Sequence, residues 1–180
     1  MNKHYKGDLE KTYLPEFVYG GIDGSITTFA VVSGAMGASL SSSIILILGF
    51  ANLFADGFSM AISNYFSIKS KNDLEKKIKI EDKKNELKTA FATFFAFFLA
   101  GLMPLISFVF ASITKNSFLI ENQFKHSVIL TGFALIIIGW FEGKITKRSE
   151  IKSSVQTFII GGIAASLAFF VGYFINSIFL

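Results

Sequence analysis

Cysteine is absent from this chain of 180 residues, which excludes disulfides, thiolate metal sites and cysteine nucleophiles. Histidine occurs only as His4 and His126, both outside the hydrophobic runs, which argues against a histidine-based zinc or catalytic centre. The sequence also lacks a phosphate-binding glycine loop, a nucleophile elbow and a metalloprotease motif. We therefore expect no enzyme, no catalytic residue and no resident cofactor.

Hydrophobic residues make up 52% of the chain, and 22 residues are phenylalanine. Because a membrane-spanning helix needs about 20 mainly apolar residues, the sequence predicts an all-α integral membrane protein with five transmembrane helices. The predicted spans are 17–38, 44–67, 89–111, 127–142 and 155–179. We interpret 1–16 as a cytoplasmic segment and 17–180 as one transmembrane domain, with a short charged cytoplasmic loop at 68–88.

The basic residues alternate between the two ends of these spans. Three precede the first span, eight lie between the second and third, and four lie between the fourth and fifth. Only two lie between the third and fourth spans, and the other ends have none. The excess of positive charge in cytoplasmic loops predicts a cytoplasmic N-terminus and an external C-terminus. The net charge of +4 thus reflects topology, and we expect no nucleic-acid partner.

Two aspartates lie within the hydrophobic spans, Asp23 in the first and Asp56 in the second. A carboxylate inside a bilayer costs roughly 2.5–3.5 kcal/mol on insertion scales. No lysine or arginine lies in either span to neutralise the two carboxylates. A bound cation or a proton is their natural partner, which indicates a path for positive charge through the membrane.

Helical geometry gathers the polar residues of these two spans on one stripe each. At 100° per residue, the stripe of the first span covers about 60° and that of the second about 100°. The first stripe consists of Glu16, Gly20, Asp23, Thr27 and Gly34. The second consists of Asn52, Asp56, Ser59, Met60 and Ser63.

Facing stripes would form a ladder of oxygen ligands with one thioether. Oxygen ligands suit hard and borderline cations, and a methionine sulfur favours Fe²⁺ or Mn²⁺ over Mg²⁺ and Ca²⁺. Our candidate metal ligands are Glu16, Asp23, Asn52, Asp56 and Met60.

Packing is the alternative interpretation of several stripe residues. Small and polar residues also serve close helix contact, as in the Gly20-xxx-Gly24 pattern. Met60 alone is more often a core-filling residue than a ligand. The small residues of the fifth span also suit tight contact, and Pro104 should kink or break the third span. The two aspartates are harder to explain by packing.

Four segments of the chain resemble the vacuolar iron transporter family. They are GIDGSITTFAVVSGAMGA at 21–38, GFANLFADGFSMA at 49–61, GLMPL at 101–105 and the small-residue segment 161–172. The resemblance implies a five-helix protein that pairs as a homodimer, with a metal path between the subunits that exchanges Fe²⁺, and often Mn²⁺, for protons. It matches Glu16 and Asp23 to acidic pore positions and Met60 to the pore methionine. Asn52 stands where some relatives have glutamate, and Asp56 where some have methionine.

The chain departs from that family pattern at two places. Asn64 stands where prokaryotic relatives often carry glutamate. The segment between the second and third spans is also short, whereas well-known members carry a long metal-collecting insert there. Because eight lysines in that segment oppose cation binding, we interpret it as a solvated loop that extends the second span as a short charged helix.

The sequence therefore predicts a short, prokaryotic-type transporter that exports Fe²⁺ or Mn²⁺ from the cytoplasm by proton antiport. Its expected partners are divalent metal ions, protons, the lipid bilayer and a second copy of the chain. The short form favours a prokaryotic plasma membrane. Two alternatives remain open: a non-transporting membrane metal sensor or scaffold, and a membrane enzyme that uses the aspartates.

Overall fold

The computed structural model describes residues 3–77 and 84–179, with side chains from residue 13 to 74 and from 84 to 179. This part of the chain forms six helices and no strand. The helices are α1 (Lys3–Gly37), α2 (Ser42–Lys77), α3 (Glu86–Gly101), α4 (Met103–Thr114), α5 (Ser117–Ile145) and α6 (Glu150–Phe179).

The lengths and compositions of the helices fit a membrane protein. Three of them, α2, α5 and α6, are long and apolar enough to cross a bilayer. The α3–α4 pair reaches the same length and hydropathy only if its two bent halves are taken together as one span. Helix α1 is not in this group, because Asp23 and several glycine, serine and threonine residues lower its hydropathy. The all-helical membrane architecture is confirmed, while the count of five spans and their orientation stay predictions.

The break predicted at Pro104 is confirmed. Helices α3 and α4 meet at an angle of 51° around Leu102. Proline has no N–H to donate to the carbonyl of Ala100 four residues earlier. The Ser25 hydroxyl of α1 donates to that carbonyl instead, at 3.3 Å, so the break is anchored to the neighbouring helix.

Several helices extend beyond the predicted boundaries. Helix α1 already begins at Lys3, α5 runs ten residues ahead of the predicted 127, and α2 continues to Lys77. The charged segment 68–88 is thus helical at its start, as the predicted extension of the second span requires. Residues 78–83 lie outside the described part. Hydropathy marks only the apolar middle of a helix, because backbone hydrogen bonds and caps such as Asn116 set its ends.

Helix α1 lies at the centre of the bundle and packs along both α3 and α6. Glycines make these contacts possible. A Cβ added to Gly20 would lie 2.6 Å from the Thr93 carbonyl oxygen, and one added to Gly24 would overlap the Phe97 backbone of α3. Gly37 meets the Phe169 backbone of α6 in the same way. The packing interpretation of the Gly20-xxx-Gly24 pattern is confirmed.

The hydrophobic core lies between α1, α2, α3 and α4. Fully buried side chains there include Val32, Leu53, Phe97, Leu105 and Phe108. Large apolar side chains also cover the outside of the bundle, particularly on α6, where Ile163, Leu167 and Phe170 are more than half exposed. An outer surface of this kind suits contact with lipid.

Candidate functional site

The two aspartates of the predicted spans lie on helices that pack against each other, Asp23 on α1 and Asp56 on α2. Both are partly buried, and their carboxylates interact electrostatically as like charges. The Thr27 hydroxyl donates a hydrogen bond to the backbone carbonyl oxygen of Asp23 at 2.8 Å, and not to the Asp23 carboxylate. No lysine or arginine among the described residues pairs with either aspartate. A cation or a proton placed at this pair would relieve the repulsion.

Asn52 joins the same seam between α1 and α2, one turn along α2 from Asp56. Its side-chain amide donates to the Thr28 hydroxyl at 3.3 Å. Its amide oxygen accepts no hydrogen bond within the described part of the chain. Asn52 therefore connects the two helices, and its amide oxygen has no protein partner within the described residues.

Met60 lies in a different environment from its neighbours on the predicted stripe. Its side chain is only 9% exposed and belongs to the core cluster with Leu53 and Phe97. Ser59 and Ser63 of the same stripe are exposed. This burial fits the core-filling alternative, and a metal-binding role of the thioether stays a prediction.

Two glycines of the first stripe face other helices. Gly20 lies against α3, and a Cβ added to Gly34 would lie 3.3 Å from the Ala168 carbonyl oxygen of α6. Both positions serve packing, so the polar part of the stripe near the membrane centre reduces to Asp23 and Thr27.

Glu16 lies near the cytoplasmic end predicted for the first span and has a partner that the sequence reasoning missed. It precedes Asp23 by seven residues, or about 10 Å along the helix axis. Its Oε1 accepts a hydrogen bond from the Lys84 ammonium at 2.9 Å. The interpretation of 68–88 as a solvated loop did not include this contact of Lys84 with Glu16. Nothing in the sequence pattern distinguishes Lys84 from the other lysines there.

Asn64 also has a structural role that sequence reasoning did not find. Its amide donates to the Thr93 hydroxyl of α3 at 2.6 Å, and that hydroxyl donates to the Thr89 carbonyl at 3.0 Å. The only proton of the Thr93 hydroxyl is thereby used, so the partner on α2 must be a donor. An amide meets this requirement and an ionised carboxylate does not.

The assembled site contains two carboxylates and one amide on the seam between α1 and α2, with Glu16 further towards one end. Within residues 3–77 and 84–179, no group of three or more histidine, cysteine, aspartate or glutamate residues is placed to hold a metal ion. The seam offers oxygen ligands, which suit protons and hard or borderline divalent cations.

Comparison with known proteins gives consistent matches. The model of the VIT family matches residues 14–85 and 75–173. The chain is 29% identical to vacuolar iron transporter 1 of Eucalyptus grandis, over 86% of this chain and 83% of that protein. It is 24% identical to the vacuolar iron transporter of Plasmodium berghei, over 98% and 88% of the two chains. Vacuolar iron transporter homolog 4 of Arabidopsis thaliana is 29% identical, over 94% and 91%.

The lengths of these alignments indicate where the proteins differ. The alignment with the eucalyptus protein spans 212 positions, more than the 180 residues of this chain, so that relative carries inserted residues. The two segments that match the family model meet at 75–85, between α2 and α3. The family resemblance predicts that the chain is short at this same segment.

Proposed function

The chain belongs to the VIT family, and from that premise we propose that it is a membrane transporter that exports Fe²⁺ or Mn²⁺ from the cytoplasm in exchange for protons. Its relatives are named iron transporters, which supports a metal ion as cargo and a transporter rather than an enzyme. The observation that carries the proposal is the pair Asp23 and Asp56, two partly buried carboxylates on packed helices that have no basic partner among the described residues. Such a pair attracts either a divalent cation or protons, as an exchange of one for the other requires.

In the proposed cycle, metal enters from the cytoplasm past Glu16. Asp23 and Met60 bind it, and Asp56 and Asn52 carry it deeper. Protons arriving from the far side then neutralise the carboxylates and release the metal. The hydrogen bond from Asn52 to Thr28 supports a shared path, because it holds α2 against α1 one turn from Asp56.

We also propose that two copies of the chain form the path. Ser59 and Ser63 are exposed on α2, on the same stripe as the half-buried Asp56. Polar side chains that face lipid are unfavourable, and a second copy that covers this face would remove them from lipid. With the N-terminus inside, the plasma membrane of a prokaryote is the proposed location.

Metal flux into proteoliposomes with an imposed pH gradient tests the proposal. We expect Fe²⁺ and Mn²⁺ entry that depends on the gradient, and its loss in Asp23→Asn, because the amide can neither hold a proton nor supply the charge that binds the metal. Glu121→Gln is the matched control. It also replaces one carboxylate by an amide, but on an exposed position near the start of α5, and should transport like the wild type.

Undiminished flux in Asp23→Asn would contradict the mechanism. Metal binding without any flux in the wild type would instead favour the sensor or scaffold alternative.

A further inference from the structure

Lys84 and Glu16 form an ion pair between segments that are distant in the sequence. The Lys84 Nζ lies 2.9 Å from the Glu16 Oε1, across a separation of 68 residues. The Glu16 side chain is 11% exposed and that of Lys84 is 34% exposed. The ammonium therefore reaches a nearly buried carboxylate from the short linker between α2 and α3.

The backbone of Lys84 is held in place by a buried side chain of α2. Asn72 is 3% exposed, and its amide donates to the Lys84 carbonyl at 2.8 Å and to the Glu86 Oε1 at 2.7 Å. Immediately after Lys84, Asn85 caps α3 by accepting a hydrogen bond from the Lys88 N–H at 2.9 Å. These hydrogen bonds fix the backbone at residues 84 and 85, and they hold the Lys84 ammonium beside Glu16.

Only one of the two oxygens of the Glu16 carboxylate takes part in this contact. Its Oε2 is buried and has no hydrogen-bond partner among the described residues. A buried carboxylate oxygen without a partner is costly, which makes it a favourable ligand for an incoming cation. Oε1 binds the ammonium, while Oε2 has no hydrogen-bond partner among the described residues.

We propose that Lys84 is a built-in competitor for the metal at Glu16, and that it determines which cations enter. When no metal is present, the ammonium occupies the carboxylate. An arriving cation must displace the partly exposed Lys84 ammonium before it reaches the carboxylate, where the unpaired Oε2 is a further ligand. This inference rests on the proposed role of Glu16 as the entry ligand.

Competition of this kind favours cations that carry more than one positive charge. The tethered ammonium carries a single positive charge, so a monovalent ion gains little electrostatic energy by replacing it at the carboxylate. A divalent ion has twice the charge for the same carboxylate and displaces the ammonium more readily. Lys84 would thus exclude monovalent cations without any change in the metal ligands.

Binding of Mn²⁺ to the detergent-solubilised full chain, followed by electron paramagnetic resonance, tests the proposal without requiring transport. Lys84→Met keeps the apolar stem and removes the charge. We expect the Mn²⁺ concentration for half-saturation to fall about two- to fivefold, the range set by a partly exposed ion pair. Potassium should also compete more strongly with Mn²⁺ in this variant than in the wild type.

Three further variants separate this role from general effects. Lys88→Met removes the same charge four residues later, from an exposed side chain, and should leave Mn²⁺ binding unchanged. Lys84→Arg keeps the charge and should bind Mn²⁺ much like the wild type. The double variant Glu16→Gln with Lys84→Met should lose the gain in affinity, because the gain requires the carboxylate.

If Lys84→Met does not fold, Asn72→Ala decides the question. It keeps both charges but releases the Lys84 carbonyl, so it should lower the half-saturating Mn²⁺ concentration in the same direction. Unchanged or weaker Mn²⁺ binding in the folded variants overturns the proposal, as does a wild type that binds no Mn²⁺. A wild type that binds Mn²⁺ but shows no flux overturns the transport function alone.

Discussion

The three acidic residues among the candidate ligands lie in two opposite electrostatic environments. Glu16 has a lysine within hydrogen-bonding distance, so its charge is already balanced. Asp23 has Asp56 as its charged neighbour, so their charges add in a region of apolar helices. We therefore expect affinity for cations and protons to be concentrated at the aspartates, and we expect Glu16 to bind a cation only in competition with Lys84.

The role of the Met60 thioether can be separated from its packing by Met60→Leu. This substitution keeps the volume of a nearly buried side chain and removes the sulfur. If the sulfur binds metal, the preference for Fe²⁺ over Mg²⁺ in competition transport should decrease, because leucine offers no soft ligand. The thermal unfolding midpoint in detergent, measured in parallel, should change little.

An unchanged ratio of Fe²⁺ to Mg²⁺ in folded Met60→Leu would assign Met60 to packing alone. Phe108→Leu is a useful comparison, since it alters the same core cluster at a position without sulfur. It should affect thermal stability and not ion preference.

Single residues differ in how far the sequence could predict them. The aspartates were predictable because a carboxylate in a hydrophobic run is unfavourable wherever the helix packs. The Lys84–Glu16 contact was not, because it depends on how the linker returns to α1 after 68 intervening residues. For Met60 the sequence left core packing and metal binding both open, since a stripe about 100° wide includes the edge that faces the core and the edge that faces outward.

At the scale of helices, the contact of α1 with α3 depends on the absence of side chains. Gly24→Ala would push a methyl group into the Phe97 backbone, which cannot move aside as a flexible side chain can. We expect a loss of about 1–3 kcal/mol, typical of overpacking, and a lower thermal unfolding midpoint in detergent.

Gly162→Ala is the matched control, because a Cβ at Gly162 of α6 meets nothing within 4 Å. This variant should be as stable as the wild type or gain up to about 1 kcal/mol from helix propensity. Equal unfolding midpoints for Gly24→Ala and Gly162→Ala would show that the α1–α3 contact is looser than the structure indicates.

The helices were easier to predict than their ends. Runs of about 20 apolar residues gave the positions of α2, α5 and α6, and Pro104 gave the break between α3 and α4. The charged extension of α2 to Lys77 and the early start of α5 at Ser117 lie outside the apolar runs. Their ends depend on backbone hydrogen bonds and on capping by residues such as Asn116, for which hydropathy carries no signal.

At the scale of the whole molecule, the single chain leaves a polar strip open to its surroundings. Ser59 and Ser63 are exposed on α2 next to the half-buried Asp56, whereas the exposed part of α6 is mostly apolar. In a bilayer the apolar surface is stable against lipid and the polar strip is not. The strip is therefore the surface at which we expect the second copy, with the two α2 helices facing each other across a twofold axis.

The absence of cysteine allows a direct test of this arrangement, because a single introduced cysteine can form a disulfide only with its counterpart in another copy. Ser59→Cys and Ser63→Cys should each give a band of twice the chain mass when membranes are oxidised, since residues near a twofold axis meet their own counterparts. Ser166→Cys is the control, as it is equally exposed but lies on α6. A doubled band for Ser166→Cys alone would move the interface to α6, and the pair Asp23 and Asp56 would then have to bind metal within one chain.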